Sequence, residues 1–236
     1  MLWTNLLRAT AAPTNSITLN KVAIVMKLVV LGANGRTGVH VVQQALEQGF
    51  EVTAVVRSEA KRPSIQHANL TVAVGDPCDP GFLAEIFVGK DAVISTLGGR
   101  APTKKAKSIY PRSAEAIVGA ASKSGLKRVL VTSSALLFDT GRLIDKILVF
   151  VVHRVVSSAT SMEQTLLSSG LDVTIARCGF LNDGEETTYR AEPDALPANG
   201  SSIARQGLSR FLIDSVQGQW RDSSVYGVSC PESGEG

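Results

Sequence analysis

Three glycines spaced i, i+3 and i+6 stand in Gly32-Ala33-Asn34-Gly35-Arg36-Thr37-Gly38, directly after the apolar run Lys27 to Leu31 and directly before a stretch of helical apolar spacing. Where a strand turns into a helix, the first N–H groups have no intrahelical partner and the positive end of the helix dipole faces outward, so phosphate is attracted there. Side chains would block that approach, which is why glycine belongs in such a loop. Gly32 is expected to make the tight turn, Gly35 to admit a pyrophosphate and Gly38 to let helix and strand pack closely, with Asn34, Arg36 and Thr37 completing the cradle. A plain glycine-rich turn between strand and helix uses the same residue types; the strand before and the helix after favour dinucleotide binding.

The second apolar run ends in Val55-Val56-Arg57. A site for NAD(H) usually carries Asp or Glu here to bind the ribose 2′-hydroxyl, whereas a guanidinium matches a 2′-phosphate in charge and geometry. Arg57, helped by Arg36 and by Lys61 or Arg62, therefore favours NADP(H) over NAD(H), the alternative being an ordinary surface arginine. After the third run comes Gly75-Asp76, where Asp76 either contacts the adenine amino group or caps a turn.

The rest of the composition narrows the classes. A formal charge of +3, from 24 basic and 21 acidic residues, is too small for nucleic-acid binding without a concentrated patch. Arg100, Lys104, Lys105 and Lys107 are the nearest thing to one, and with Pro102 among them they read as a solvated loop, contact with an anionic ligand being the alternative. Cys78, Cys178 and Cys230 form no C-x-x-C pair and no His accompanies them, so neither a metal site nor a disulfide framework is indicated, and a reducing, cytoplasmic compartment fits. The acidic segment Asn182 to Gly200, with Asp183, Glu185, Glu186, Glu192 and Asp194, has no metal-ligand spacing and reads as a mobile loop over an acceptor pocket. His153 reads as a partly exposed structural histidine, the alternative being a chemical role. The apolar run Ile147 to Val152 falls far short of the roughly 20 residues that a membrane span needs.

These chemical residues need a frame. From Lys27 onward, β-branched apolar runs alternate with amphipathic stretches, which predicts βαβ units and a mainly parallel sheet covered by helices on both faces: an α/β, three-layer, doubly wound Rossmann fold. Strands are expected at Lys27–Leu31, Val52–Val56, Thr71–Val74, Ala92–Thr96, Arg128–Thr132 and Val173–Ala176. Helices are expected from Val39 to Gly49, Phe82–Val88, Ser113–Lys123, roughly Val151–Ser168 and Ser209–Val216, with Asp79-Pro80-Gly81 capping the second. Hydrophobic residues at 44% suffice for one core, so residues 26–229 are expected to form a single domain. Residues 1–25 lack acidic residues and weakly resemble a transit peptide, which would target an organelle; Met26 as the true start is the stronger reading, and residues 230–236 are a tail.

Beyond these patterns, the run from Lys27 to about Ser229 resembles an atypical short-chain dehydrogenase/reductase of the NAD(P)H-binding, NmrA-like group, near the flavin reductase/biliverdin-IXβ reductase branch. The pieces that carry the resemblance are the glycine loop, Gly75-Asp76, Asp91-Ala92-Val93-Ile94-Ser95-Thr96-Leu97-Gly98, Val131-Thr132-Ser133-Ser134-Ala135, Met162-Glu163, Ser169 to Arg177, and Phe211-Leu212-Ile213-Asp214. The resemblance implies a nicotinamide ring beyond the ends of the fourth to sixth strands, at Leu97, Gly98, Ser133, Ser134, Cys178, Gly179 and Phe180. It implies for Ser134 a role in positioning the nicotinamide or the acceptor.

The chain departs from the wider family in ways that bear on reaction type. None of Tyr110, Tyr189 and Tyr226 is followed by lysine four residues on, so the Tyr-x-x-x-Lys acid/base pair is missing. Phe180 stands where the biliverdin reductases place their histidine, and Cys178 replaces a common proline. Ketone reduction and epimerisation need a proton relay, whereas reduced flavins and quinones take protons from solvent. The expectation is an NADPH-dependent reductase of a flavin, quinone or similar small-molecule acceptor, acting as a monomer or homodimer with no nucleic-acid or membrane partner. A non-catalytic NADP(H)-binding redox sensor is the alternative. A sugar-nucleotide epimerase is disfavoured by the short chain after Arg177.

Overall fold

A computed structural model describes residues 25–98, 104–138 and 156–231. The N-terminal residues 1–24, Arg100, Pro102, the run Ile147 to Val152, His153 and residues 232–236 lie outside it.

Strands β1 (Lys27–Leu31), β2 (Glu51–Val56), β3 (Leu70–Val74), β4 (Ala92–Ser95), β5 (Arg128–Ser134), β6 (Asp172–Cys178), β8 (Arg190–Pro193) and β10 (Val225–Ser229) form one sheet in the order β3-β2-β1-β4-β5-β6-β10-β8. All pairings are parallel except β8 with β10. Strands β7 (Phe180–Asn182) and β9 (Ser202–Ala204) form a separate parallel pair. The winding reverses between β1 and β4, which opens a crevice at their C-terminal ends, and the order 3-2-1-4-5-6 is that of a Rossmann fold.

The strand sequences are apolar throughout because both faces are covered. Leu28 and Val30 pack on one side with α1 (Gly38–Glu47) and α5 (Arg205–Val216) through Val41, Val42, Ala45, Leu208 and Phe211. Val29 and Leu31 pack on the other with α2 (Pro80–Phe87), α3 (Lys104–Ser124) and α4 (156–167) through Leu83, Phe87, Ile117, Ala121 and Leu166. Each such fully buried Leu or Phe contributes about 1.5–3 kcal/mol relative to exposure. Local signals fix the ends of the helices. Asp79 Oδ1 accepts from the Gly81 and Phe82 amides at 2.8 and 3.3 Å with Pro80 in the first turn, as the sequence predicted. Gly49, at φ +80°, follows the end of α1.

Three features differ from the sequence reading. Helix α3 starts at Lys104, so Lys104, Lys105 and Lys107 belong to its first turns and not to a loop. Pro111 lies inside it; the lost hydrogen bond is outweighed by burial of Ala114, Ile117 and Ala121. The acidic segment after β7 is not wholly irregular, since β8 pairs antiparallel with β10 in the register Tyr226↔Pro193 to Ser229↔Arg190. Strands β7, β8, β9 and β10 were not foreseen. A three- to five-residue strand with polar members leaves too little alternation to detect.

The α5 face holds an aromatic cluster: the Phe211 ring lies 5.5 Å from Tyr189, edge-on, 6.0 Å from Trp220 and 5.8 Å from Tyr226. Replacing Phe211 with Ala is expected to cost about 3–5 kcal/mol, measured by urea denaturation followed by circular dichroism.

Candidate functional site

The loop between β1 and α1 is built on close main-chain contacts. Gly32 sits at φ +80°, and a Cβ there would meet Thr96 Oγ1 at 3.0 Å. Thr96 Oγ1 in turn donates towards the carbonyls of Leu31 and Gly32 at 3.2 and 3.4 Å, tying the end of β1 to the chain leaving β4. The Gly35 amide closes the turn onto the Gly32 carbonyl at 2.8 Å. A Cβ on Gly38 would come within 2.1 Å of the Gly32 carbonyl oxygen, so the helix can start this close to the strand only with glycine. Asn34, Gly35 and Arg36 are exposed while Thr37 and Gly38 are buried. Thr37 makes no side-chain cap and the first turn of α1 has no acidic residue, so neither an N-cap side chain nor a first-turn carboxylate offsets the positive helix end. These amides fit a pyrophosphate.

At the ends of β2 and β3 the charges sort themselves. Arg62 forms an exposed ion pair with Glu59, and the hydrogen bond between them lowers the Glu59 pKa. Asp76 Oδ1 accepts from the Cys78 amide at 2.9 Å and Oδ2 faces Arg112 at 3.5 Å, so its carboxylate caps a turn and forms an ion pair. Arg57 is exposed and has no ion pair among the described residues. Arg36 has a partner that sequence distance concealed: Asp183, after β7, binds Arg36 and also Arg205 Nη1, the latter at 2.6 Å. The Arg205 side chain is nearly buried, so Asp183 joins the glycine loop to the start of α5.

The predicted nicotinamide residues gather at the C-terminal ends of β4, β5 and β6. Their roles divide. Ser133 is buried and its hydroxyl is committed to Glu163 of α4, whose carboxylate also takes Arg177 Nη2 at 2.6 Å. Arg177 Nη1 donates to the Leu137 carbonyl at 3.2 Å, and its guanidinium lies 4.7 Å from the Phe138 ring centroid. This network fixes the ends of β5 and β6. Ser134, partly exposed, accepts from the Leu136 amide at 3.3 Å, and pairs in register with Cys178. The Cys178 thiol is buried against the Ser133 carbonyl at 3.3 Å, and desolvation pushes its pKa up to about 12. Leu97 is partly buried, and Gly98 and the 69% exposed Phe180 lie on the rim. Gly179 packs against the Ser201 carbonyl.

One rim residue was passed over in the sequence because it lacks a following lysine. Tyr110, on α3, brings its hydroxyl to where a Cβ on Gly98 would be 3.2 Å away. Burial pushes its pKa up to about 12, helped by the neighbouring Cys178. No spacing rule could have found it, since α3 reaches the rim only through the sheet's three-dimensional order.

A family described as NAD(P)H-binding matches residues 32–219. The chain belongs to this NAD(P)H-binding family. Among curated proteins it is 28% identical to the photosystem II assembly factor Ycf39 of Synechocystis over 109 residues, 46% of this chain and 33% of that protein. The match thus spans a third of Ycf39's length. Two solved structures share the Rossmann fold. A short-chain dehydrogenase/reductase from Veillonella parvula in complex with NADP superposes with TM-score 0.72 at 21% identity, covering 88% of this chain and 95% of its own. The anaerobillin reductase ChuY of Escherichia coli O157:H7 gives TM-score 0.72 at 22% identity over 88% and 98%. No helix among the described residues is long and apolar enough to cross a membrane.

Two outcomes follow from the buried groups. Cys178 and Tyr110 hold their protons in the folded state to about pH 12, above the ordinary values of 9.0 and 10.0, so their contribution to stability is complete below about pH 9 and is lost as pH rises towards 12. Denaturation midpoints measured from pH 8 to 11 should fall, and Cys178 should react with a thiol reagent only on unfolding. Gly38→Ala should destabilise the protein by more than about 2 kcal/mol in urea titration, because the new methyl meets main chain that cannot yield.

Proposed function

We propose that the protein is an NADPH-dependent reductase of a flavin- or quinone-type conjugated acceptor. The observation that carries the reading is an uncapped helix mouth lined by glycine, with the unpaired Arg57 beside it at the end of β2. When bound, the dinucleotide supplies a hydride from its nicotinamide. The amides of the loop hold the pyrophosphate, and Arg57 selects the 2′-phosphate. Arg36 adds to that selection while remaining tied to Asp183. Ser134 accepts from the Leu136 amide and so keeps its own proton to donate at the rim, where it positions the nicotinamide or the acceptor. The NADP bound by the Veillonella enzyme and the reductase activity of ChuY support a redox role on this fold.

Fluorescence titration should give tighter binding of NADPH than of NADH, and Arg57→Asp should weaken NADPH at least tenfold while leaving NADH nearly unchanged. Equal affinities in the parent protein would overturn the role of Arg57. With NADPH present, absorbance at the nicotinamide band should decay on addition of FMN, riboflavin, biliverdin or a simple quinone. Binding without turnover on any of them would assign the chain to redox sensing instead.

A further inference from the structure

We propose that the Tyr110 hydroxyl is the hydrogen-bond donor that seats a carbonyl oxygen of the acceptor, which makes planar carbonyl compounds of the quinone class the preferred ligands of the rim. The inference rests on the reductase reading and deepens it. Tyr110 Oη lies against Gly98, at the mouth of β4, where a Cβ on residue 98 would sit only 3.2 Å from it. Its hydroxyl has no hydrogen-bond partner among the described residues, although its ring packs in the core beneath the rim. The other two tyrosines are spent on the fold: Tyr189 Oη donates to Asp214 Oδ2 at 2.8 Å and accepts from Trp220 Nε1 at 2.9 Å, and Tyr226 Oη is held by Asp222 and the Ser223 amide.

An O–H at the rim that no described residue accepts is free to donate to a ligand oxygen. The neighbouring groups define what kind of acceptor fits. Cys178, across the sheet's end, is a neutral thiol facing the Ser133 carbonyl, and Glu163 is committed to Ser133 and Arg177 and does not compete for the phenol proton. Burial keeps Tyr110 a neutral donor up to about pH 12, which suits an oxygen that gains electron density and not one that must receive a full proton. Phe180, two residues past Cys178, leaves 69% of its surface exposed on the same edge and offers an apolar face to a flat ring.

The test separates this assignment from dinucleotide binding. The full chain is first titrated with NADP+, then, with the dinucleotide saturating, with 1,4-naphthoquinone under non-turnover conditions by calorimetry. Tyr110→Phe, which keeps the ring and its packing, is expected to leave the NADP+ dissociation constant unchanged and to weaken naphthoquinone about tenfold, the size of one hydrogen bond. Steady-state assays with NADPH should place the same loss in KM for the quinone, with riboflavin less affected. Identical naphthoquinone affinity in Tyr110→Phe and the parent, or no quinone binding by the dinucleotide-loaded parent, would overturn the proposal while leaving dinucleotide binding intact. If NADP+ itself fails to bind, the reductase reading fails, and a naphthoquinone titration of the free protein and of Tyr110→Phe still decides the role of the phenol.

Discussion

The contact between Gly38 and the Gly32 carbonyl governs the rest of the molecule. Because no Cβ intervenes, α1 begins directly over the end of β1, and its N-terminal end opens on the crevice where the sheet's winding reverses. From that fixed point the pairings of β1 with β2 and β4 set the distances at which Arg57 on one side and Gly98 on the other reach the crevice. Thr96 reinforces the junction from the β4 side. A dinucleotide is an extended ligand, so the separation of these groups along the sheet edge matters as much as their identity.

The two ends of the crevice are held by different physics. On the β5 and β6 side, a buried carboxylate shared by a serine and an arginine fixes the strand ends; such a network is strong only while every member is satisfied, and here Glu163 meets both Ser133 and Arg177. On the glycine-loop side, Asp183 bridges Arg36 and Arg205 in a more exposed setting where solvent and salt weaken the attraction. One end is therefore rigid by burial, whereas the other is held by charges that ions in solution can screen.

Much of this was legible in the residues. The six core parallel strands, the glycine loop, the cap at Asp79 and the stop at Gly49 follow from apolar continuity and turn chemistry, both local properties. The short strands after Cys178 escaped notice because edge and paired strands of this length owe their form to neighbours far away in sequence. The same holds for the site: the resemblance assigned Ser133, Ser134 and Cys178 to the C-terminal edge of the sheet, where they lie, yet which of them is committed to the fold depends on Glu163, and the partners of Arg36 and the placement of Tyr110 depend on long-range packing.

The sheet's last strand, β8, ends in Pro193, and it carries Arg190 and Glu192 between strand partners on one side only. Proline withholds an amide from any newcomer, and charged side chains are costly to desolvate against a second strand. That margin of the protein is thus protected against edge-to-edge association, the route by which open parallel sheets extend into aggregates.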